Sequence, residues 1–167
     1  MTIQTAGNPH GPMRRKEREI TERAEIDAIL ASEKVMHLAL CADNMPFLVP
    51  VFYAYNGTAL YFHSAPAGSK IDILKRNDRV CFEVSAYYGV IEDERACDFE
   101  AHHRTVIGTG RAVFVEDEAE KVAALDQIVA LFTKTNFTYS PRKLAHTTVI
   151  RIDIDQIKGK SHGFPKT

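Results

Sequence analysis

Val35-Met-His-Leu-Ala-Leu-Cys-Ala-Asp-Asn-Met-Pro-Phe-Leu-Val-Pro-Val-Phe-Tyr-Ala-Tyr-Asn-Gly-Thr-Ala-Leu-Tyr-Phe-His-Ser64 is the stretch on which the fold turns. Three runs rich in apolar, β-branched and aromatic residues are separated by Asp43-Asn44 and Asn56-Gly57. Such runs, bounded by turn residues, predict an antiparallel meander of Val35–Ala42, Phe47–Tyr55 and Ala59–Ser64. Asn56-Gly57 is the stronger hairpin signal, because a type I′ turn needs positive φ at both central residues. Pro50 offers no N–H to a ladder, which marks an edge or a bulge in the second strand.

Upstream, Thr21 can cap a helix over 21–32 whose Ile26, Ile29 and Leu30 share one stripe. The mixed charges of Met13 to Glu19 read as solvated surface. Downstream, Ser69 and Asp72 have capping-box spacing and open a short helix, with Asn77 as its left-handed stop. Arg79 to Ser85 is a fourth strand, 86–97 an irregular connection, and Phe99 to Val115 a long strand bulged near Gly108 and Gly110. A helix over 117–132 follows, with Val122, Leu125, Ile128, Val129 and Phe132 inward. Ser140 to Leu144 is a helical turn or loop, Thr147 to Asp155 the last strand, and Gly159 to Thr167 a polar tail. Strand and helix do not alternate as in a doubly wound sheet. The order predicts a mainly β, α+β fold, an antiparallel curled sheet or small barrel with peripheral helices.

The 167 residues, 45% hydrophobic and 26% charged, match an ordinary globular domain and exclude a disordered chain, a collagenous repeat and a coiled coil. Residues 1–12 read as a flexible tail, 13–163 as one domain and 164–167 as a second tail. Lys and Arg number 21 against 22 Asp and Glu, so the basic excess of a nucleic-acid binder is missing and no such partner is expected. Cys41, Cys81 and Cys97 are too few and too irregularly spaced for a disulfide framework or a zinc site, and read as packing residues. Without a signal-peptide pattern or an apolar run of about 18 residues, the expectation is a cytoplasmic protein with no membrane partner.

Gly108-Thr-Gly110 precedes a strand, whereas a dinucleotide loop must open a helix. His102 and His103 point to opposite faces of a strand and cannot share a metal, so no metal site is expected. Asp98, Glu100 and His102 alternate along what reads as a solvated edge, and His37 reads as a core histidine. One segment carries more chemistry. A strand ending in His63-Ser64, followed by Gly68-Ser69-Lys70 opening a helix, gathers free N–H groups, a helix dipole, a hydroxyl and a cation where an anion can bind. The plain alternative is a capped helix with an exposed lysine.

Ala59-Leu-Tyr-Phe-His-Ser-Ala-Pro-Ala-Gly-Ser-Lys-Ile-Asp-Ile-Leu74, Val80-Cys-Phe-Glu-Val84, Arg104-Thr-Val-Ile-Gly-Thr-Gly-Arg-Ala112 and Val149-Ile-Arg-Ile-Asp153 form an ordered series, with Gly159-Lys160 and His162-Gly163 behind them. Together they resemble the 5-nitroimidazole-resistance family of the pyridoxamine 5'-phosphate oxidase-like, FMN-binding split β-barrels. The resemblance implies a homodimer with FMN in two clefts at the subunit interface. Val49, Pro50, Val51 and Phe52 would run along the isoalloxazine and offer it backbone groups. Phe62, His63 and Ser64 would stand beside the flavin or its ribityl chain, Ser69 and Lys70 would hold the phosphate, and Arg104 and Thr105 would reach in from the partner subunit.

The implied activity is that of an oxidoreductase passing hydride from a nicotinamide donor, NAD(P)H, to a nitro-aromatic small molecule, with His63 as the catalytic proton donor. The alternative is a non-catalytic flavin- or haem-binding sensor or storage protein, with His63 or His162 as haem ligand. Two departures matter. The second strand lacks the Arg and Lys of pyridoxamine phosphate oxidases, and Ser69 stands where those enzymes carry another Arg. The phosphate clamp is weaker for it, at roughly 1.5–3 kcal/mol per charge-assisted bond. The C-terminal arginine-and-histidine substrate motif is also missing, which argues against vitamin B6 oxidation.

Overall fold

Seven antiparallel strands build the molecule: β1 (Glu19–Ile20), β2 (Val35–Ala42), β3 (Met45–Tyr55), β4 (Ala59–Ser64), β5 (Arg79–Ile91), β6 (Glu100–Phe114) and β7 (Thr148–His162). The computed structural model describes residues 11–164, so most of the two expected tails lies outside the described residues. The strand order is β1-β7-β4-β3-β2-β5-β6, and β6 pairs again with β7, which closes a six-stranded barrel with β1 appended. Period-two alternation turns Met36, Leu38, Tyr53, Leu60, Phe62, Phe82, Val84, Val106, Ile150 and Ile152 inward, all fully buried. Each large apolar side chain so buried contributes about 1.5–3 kcal/mol.

Two helices feed the same core. α1 (Arg23–Ser32) contributes Ile26, Ile29 and Leu30, and α2 (Ser69–Arg76) contributes Ile71, Ile73 and Leu74. The Tyr53 hydroxyl donates to the Leu30 carbonyl at 2.6 Å and ties α1 to the barrel wall. α3 (Glu118–Ala130) and α4 (Pro141–Ala145) cover the outer face of β4 and β7, with Tyr61, Leu125, Leu144 and Val149 in a second cluster. Among the described residues no helix is long and apolar enough to cross a membrane.

The meander and the helices stand where the patterns put them, with instructive exceptions. The two turns exchange roles. Asp43 and Asn44 both have positive φ (53° and 61°), whereas at Asn56-Gly57 only Gly57 does (96°). The ladder pairs Tyr55 with Leu60 and the Asn56 N–H donates to the Ala59 carbonyl, so the central residues are Gly57 and Thr58, one position later than expected, and Asn56 Oδ1 accepts from the N–H groups of Thr58 and Ala59. β5 does not stop at Ser85; it continues to Ile91 beside β6, with a bulge between Tyr87 and Gly89. β7 likewise continues past Asp155 to His162, into the expected polar tail, paired with β6 and, at Gly159 and Lys160, with β1, where Gly159 leaves room for Ile20.

At the helix ends, Glu22 and not Thr21 precedes α1, and Asn77 is extended, its amide donating to the Cys41 carbonyl. α3 ends at Ala130, which leaves Phe132 about half exposed. His37 lies on the outer face, hydrogen-bonded to Glu83 at 2.9 Å, and is no core histidine. Cys41 and Cys81 are half-buried, while Cys97 is exposed and packs nothing. Pro50 sits as its chemistry demands: β3 pairs with β4 only from Tyr53 to Tyr55, so the Pro50 side of the strand is a local edge.

Candidate functional site

Where β4 hands over to α2, the strand turns Phe62 into the core and His63 outward. Phe52 and His63 flank the inward Tyr53–Phe62 pair, so both face away from the core on neighbouring strands. The chain then reverses through Gly68, whose φ of 119° suits glycine alone, and enters α2. Gly68 is the residue before the helix, so the expected Ser69–Asp72 capping box does not form and no side chain caps the helix. The first intrahelical bond runs from Asp72 N–H to the Gly68 carbonyl at 3.0 Å, leaving the N–H groups of Ser69, Lys70 and Ile71 without helical acceptors.

Lys70 lies half-buried in the same corner, its Nζ 5.5 Å from the Phe62 ring centre. It has no ion pair or hydrogen bond among the described residues, and the side chains of His63, Ser64 and Ser69 have no hydrogen bond there either. Burial holds the Lys70 ammonium below its ordinary pKa. His63 is also held below its ordinary value, first by burial and then by Lys70. The corner gathers donors, the half-buried Lys70 beside the exposed His63 and Ser69, with no acceptor among the described residues.

The other expected residues divide by face. Pro50 and Phe52 are exposed on the outer surface, whereas Val49, partly buried against the core, and the buried Val51 and Phe62 face inward and can offer only backbone groups. Phe132, which the helical pattern had turned inward, lies edge-on against Phe52 with ring centres 4.9 Å apart. Thr105 faces outward and shares hydrogen bonds with Ser85 at 2.8 Å and with His103 at 2.9 Å. Arg104 alternates to the opposite side, where its guanidinium lies 3.8 Å from Glu25 and 4.1 Å above the Phe164 ring. On β7, Ser64 stands opposite Thr148 and Arg104 opposite Ser161. At about 3.3 Å per residue the two ends of that strand are up to roughly 40 Å apart, so one copy does not bring Thr105 to Lys70.

Sequence reasoning quoted Lys160 in the Gly159-Lys160 motif but gave it no place in the site, although it is paired in register with Thr105 and so shares its face. Continued period-two alternation past Asp155 was the signal that could have shown it. It also passed over the node at Glu100, which takes both Arg18 Nη2 (2.5 Å) and His162 Nε2. Those cations border a cleft of about 620 Å³ lined by Arg18, Arg104, His162, Glu22 and Glu25 among others, in which Arg18, Arg104 and His162 each already have a carboxylate partner.

The pyridoxamine 5'-phosphate oxidase family profile matches residues 22–161, most of the chain. Over 68 residues the chain is 34% identical to an uncharacterized protein of Rhizobium meliloti (strain 1021), a match spanning 41% of this chain and 44% of that relative. Among solved structures it is similar to a candidate 5-nitroimidazole antibiotic resistance protein of Bacteroides thetaiotaomicron VPI-5482, at 29% identity and TM-score 0.75 over 85% of each chain. The flavocytochrome Anf3 of Azotobacter vinelandii shares the fold at 23% identity and TM-score 0.83, over 92% of this chain and 73% of that one. So does an FAD and heme binding protein of Mycobacterium smegmatis, at 21% identity and TM-score 0.78 over 90% and 76%. The closed antiparallel barrel and the profile match over 22–161 agree, and the chain belongs to the pyridoxamine 5'-phosphate oxidase family of split β-barrels.

Proposed function

We propose that the β4–α2 corner holds the phosphate of FMN and that the protein is a flavin-dependent oxidoreductase working as a homodimer. One observation carries the reading: Lys70 is a half-buried cation with no counter-charge among the described residues, set at an uncapped helix N-terminus. Desolvating an ammonium without a partner costs free energy, which a bound phosphate offsets. The residues fit that group. Ser64, Ser69, His63 and the first-turn N–H groups are all able to donate, and Asp72, two residues beyond Lys70, falls on the other side of the helix.

The outer face of β2 and β3 leaves Val35, Leu48 and Phe52 uncovered, with Ile107 of β6 exposed nearby in the barrel wall. An apolar face of that kind suits a second copy, which would also supply Thr105. FMN, when bound, supplies two-electron chemistry, taking hydride from a nicotinamide and passing it to an electron-poor nitro-aromatic. The chain orients and shields. Lys70 and the helix end fix the phosphate, while Pro50, Phe52 and Phe132 form an apolar border that excludes water. His63, neutral at pH 7 with its lowered pKa, holds one ring proton at the site's edge. The 29% identical structure named for 5-nitroimidazole resistance supports the substrate class.

Purified protein tests the reading directly. It is expected to be yellow, to release FMN on denaturation and to bleach with NAD(P)H. Colourless protein that leaves added FMN fluorescence unquenched would sink it. A Soret band that disappears in His63→Ala would replace it with the haem reading, to which the flavocytochrome and the FAD and heme binding relatives lend support.

A further inference from the structure

With Arg104 turned away, the face that carries Thr105 delivers a different cation. Lys160 stands opposite Thr105 in the β6–β7 ladder and lines a cleft of about 350 Å³ with His103, Thr105, Ile107, Lys158 and Met13. Among the described residues no carboxylate lines this cleft. Lys160 makes no ion pair or hydrogen bond among the described residues, although Glu19 of β1 stands opposite it in register. The lining is half apolar and half cationic or hydroxylic. That mixture fits a flat ring with a polar edge better than a fully hydrated phosphate.

We infer that Lys160, with His103 and Thr105, meets the electron-rich carbonyl edge of the flavin ring held by the other copy, and that Arg104 does not. The inference rests on the proposed dimeric flavin site and goes further, by assigning the ring end of the ligand to β7. A flavin bound there would supply hydride chemistry, and its reduced form would carry extra negative charge that the Lys160 ammonium would offset. Nearby charge tunes a flavin's electronics, so Lys160 favours the reduced ring over the oxidised one. Lys160 thus sets how readily the flavin is reduced, while Lys70 sets how tightly it is held.

The test uses the full-length protein loaded with FMN and reads the midpoint potential alongside FMN affinity. In Lys160→Gln the preference for reduced over oxidised FMN is expected to fall about tenfold, a drop near 30 mV for two electrons. Affinity for oxidised FMN should change far less, and Lys160→Arg should restore the potential. Arg104→Gln should leave the potential where it is. A wild-type potential in Lys160→Gln, in a protein that still binds FMN through Lys70, overturns the inference and leaves the proposed function standing. The same holds if Arg104→Gln alone shifts the potential. Failure of the wild-type protein to bind FMN removes both.

Discussion

Two ends of the molecule gather cations, and they treat them in opposite ways. At the β6–β7 end, Glu100 takes Arg18 and His162 while Glu25 faces Arg104. At the β4–α2 corner, Lys70 has, among the described residues, only the face of Phe62 beneath it. A paired cation is part of the fold's own electrostatics, whereas an unpaired and partly desolvated one costs stability until something binds. The pairing state, more than the presence of charge, separates scaffold from site. It also explains why the large cleft beside Arg104 is the weaker candidate despite its size.

The sharpest way to break this contrast is Lys70→Met. Losing a charge-assisted contact worth roughly 1.5–3 kcal/mol should weaken FMN binding about 10- to 100-fold by fluorescence titration. The ligand-free variant should melt higher than the wild type, because a desolvated ammonium has been removed. A lower melting temperature would mean that Lys70 has a structural partner after all.

Next in size, Leu48→Glu places a charge on the bare β3 face. Self-association followed by sedimentation should weaken at least about tenfold, as expected for an unpaired charge buried between two copies. FMN affinity should fall with it. A variant that stays dimeric would move the interface elsewhere.

His63 sharpens the comparison through pH. Its pKa is depressed in the ligand-free protein, and a bound phosphate favours the imidazolium, so binding takes up a proton. The advantage of wild type over His63→Gln in FMN affinity should therefore grow as pH falls through about 6.5, by up to about tenfold. Without ligand the sign reverses. A depressed base contributes stability above its ordinary pKa and loses it as pH falls, so the apo-protein should melt lower in mild acid. A ratio of affinities that does not vary with pH would take His63 out of the phosphate site.

The smallest effect lies at the paired end. Arg18 and His162 hold the Glu100 carboxyl below its ordinary 4.5, so its contribution is present above that pH and fades as acid protonates it. Glu100→Gln should lower the melting temperature slightly at pH 7, lose that difference in acid, and leave FMN affinity unchanged. A change in FMN affinity would mean that the two ends are coupled.

Much of the barrel was legible because alternation and turn residues are local signals. The meander from Val35 to Ser64, the edge position of Pro50, and the start of α3 beside Asp117 all follow from neighbours a few residues apart. The misses share a cause. The expected β5 ends before residues 86–91, where a bulge between Tyr87 and Gly89 breaks the alternation, and the expected β7 ends where its residues turn polar; both strands are held there by partners far along the chain. The open cap at Ser69 escaped detection because spacing cannot tell which residue takes the φ of 119°. Phe132 fits the helical stripe but lies beyond the end of α3.

By itself the sequence determined the strand-rich order, the inward stripes and the gathering of His63, Ser69 and Lys70 within eight residues of chain, because burial preference and turn geometry act over short distances. Tertiary structure alone decided that Lys70 has no ionic partner among the described residues, that Arg104 is spent on Glu25 and Phe164, and that Lys160 shares a face with Thr105. Those outcomes depend on register between strands remote in sequence, where a shift of one residue exchanges the two faces.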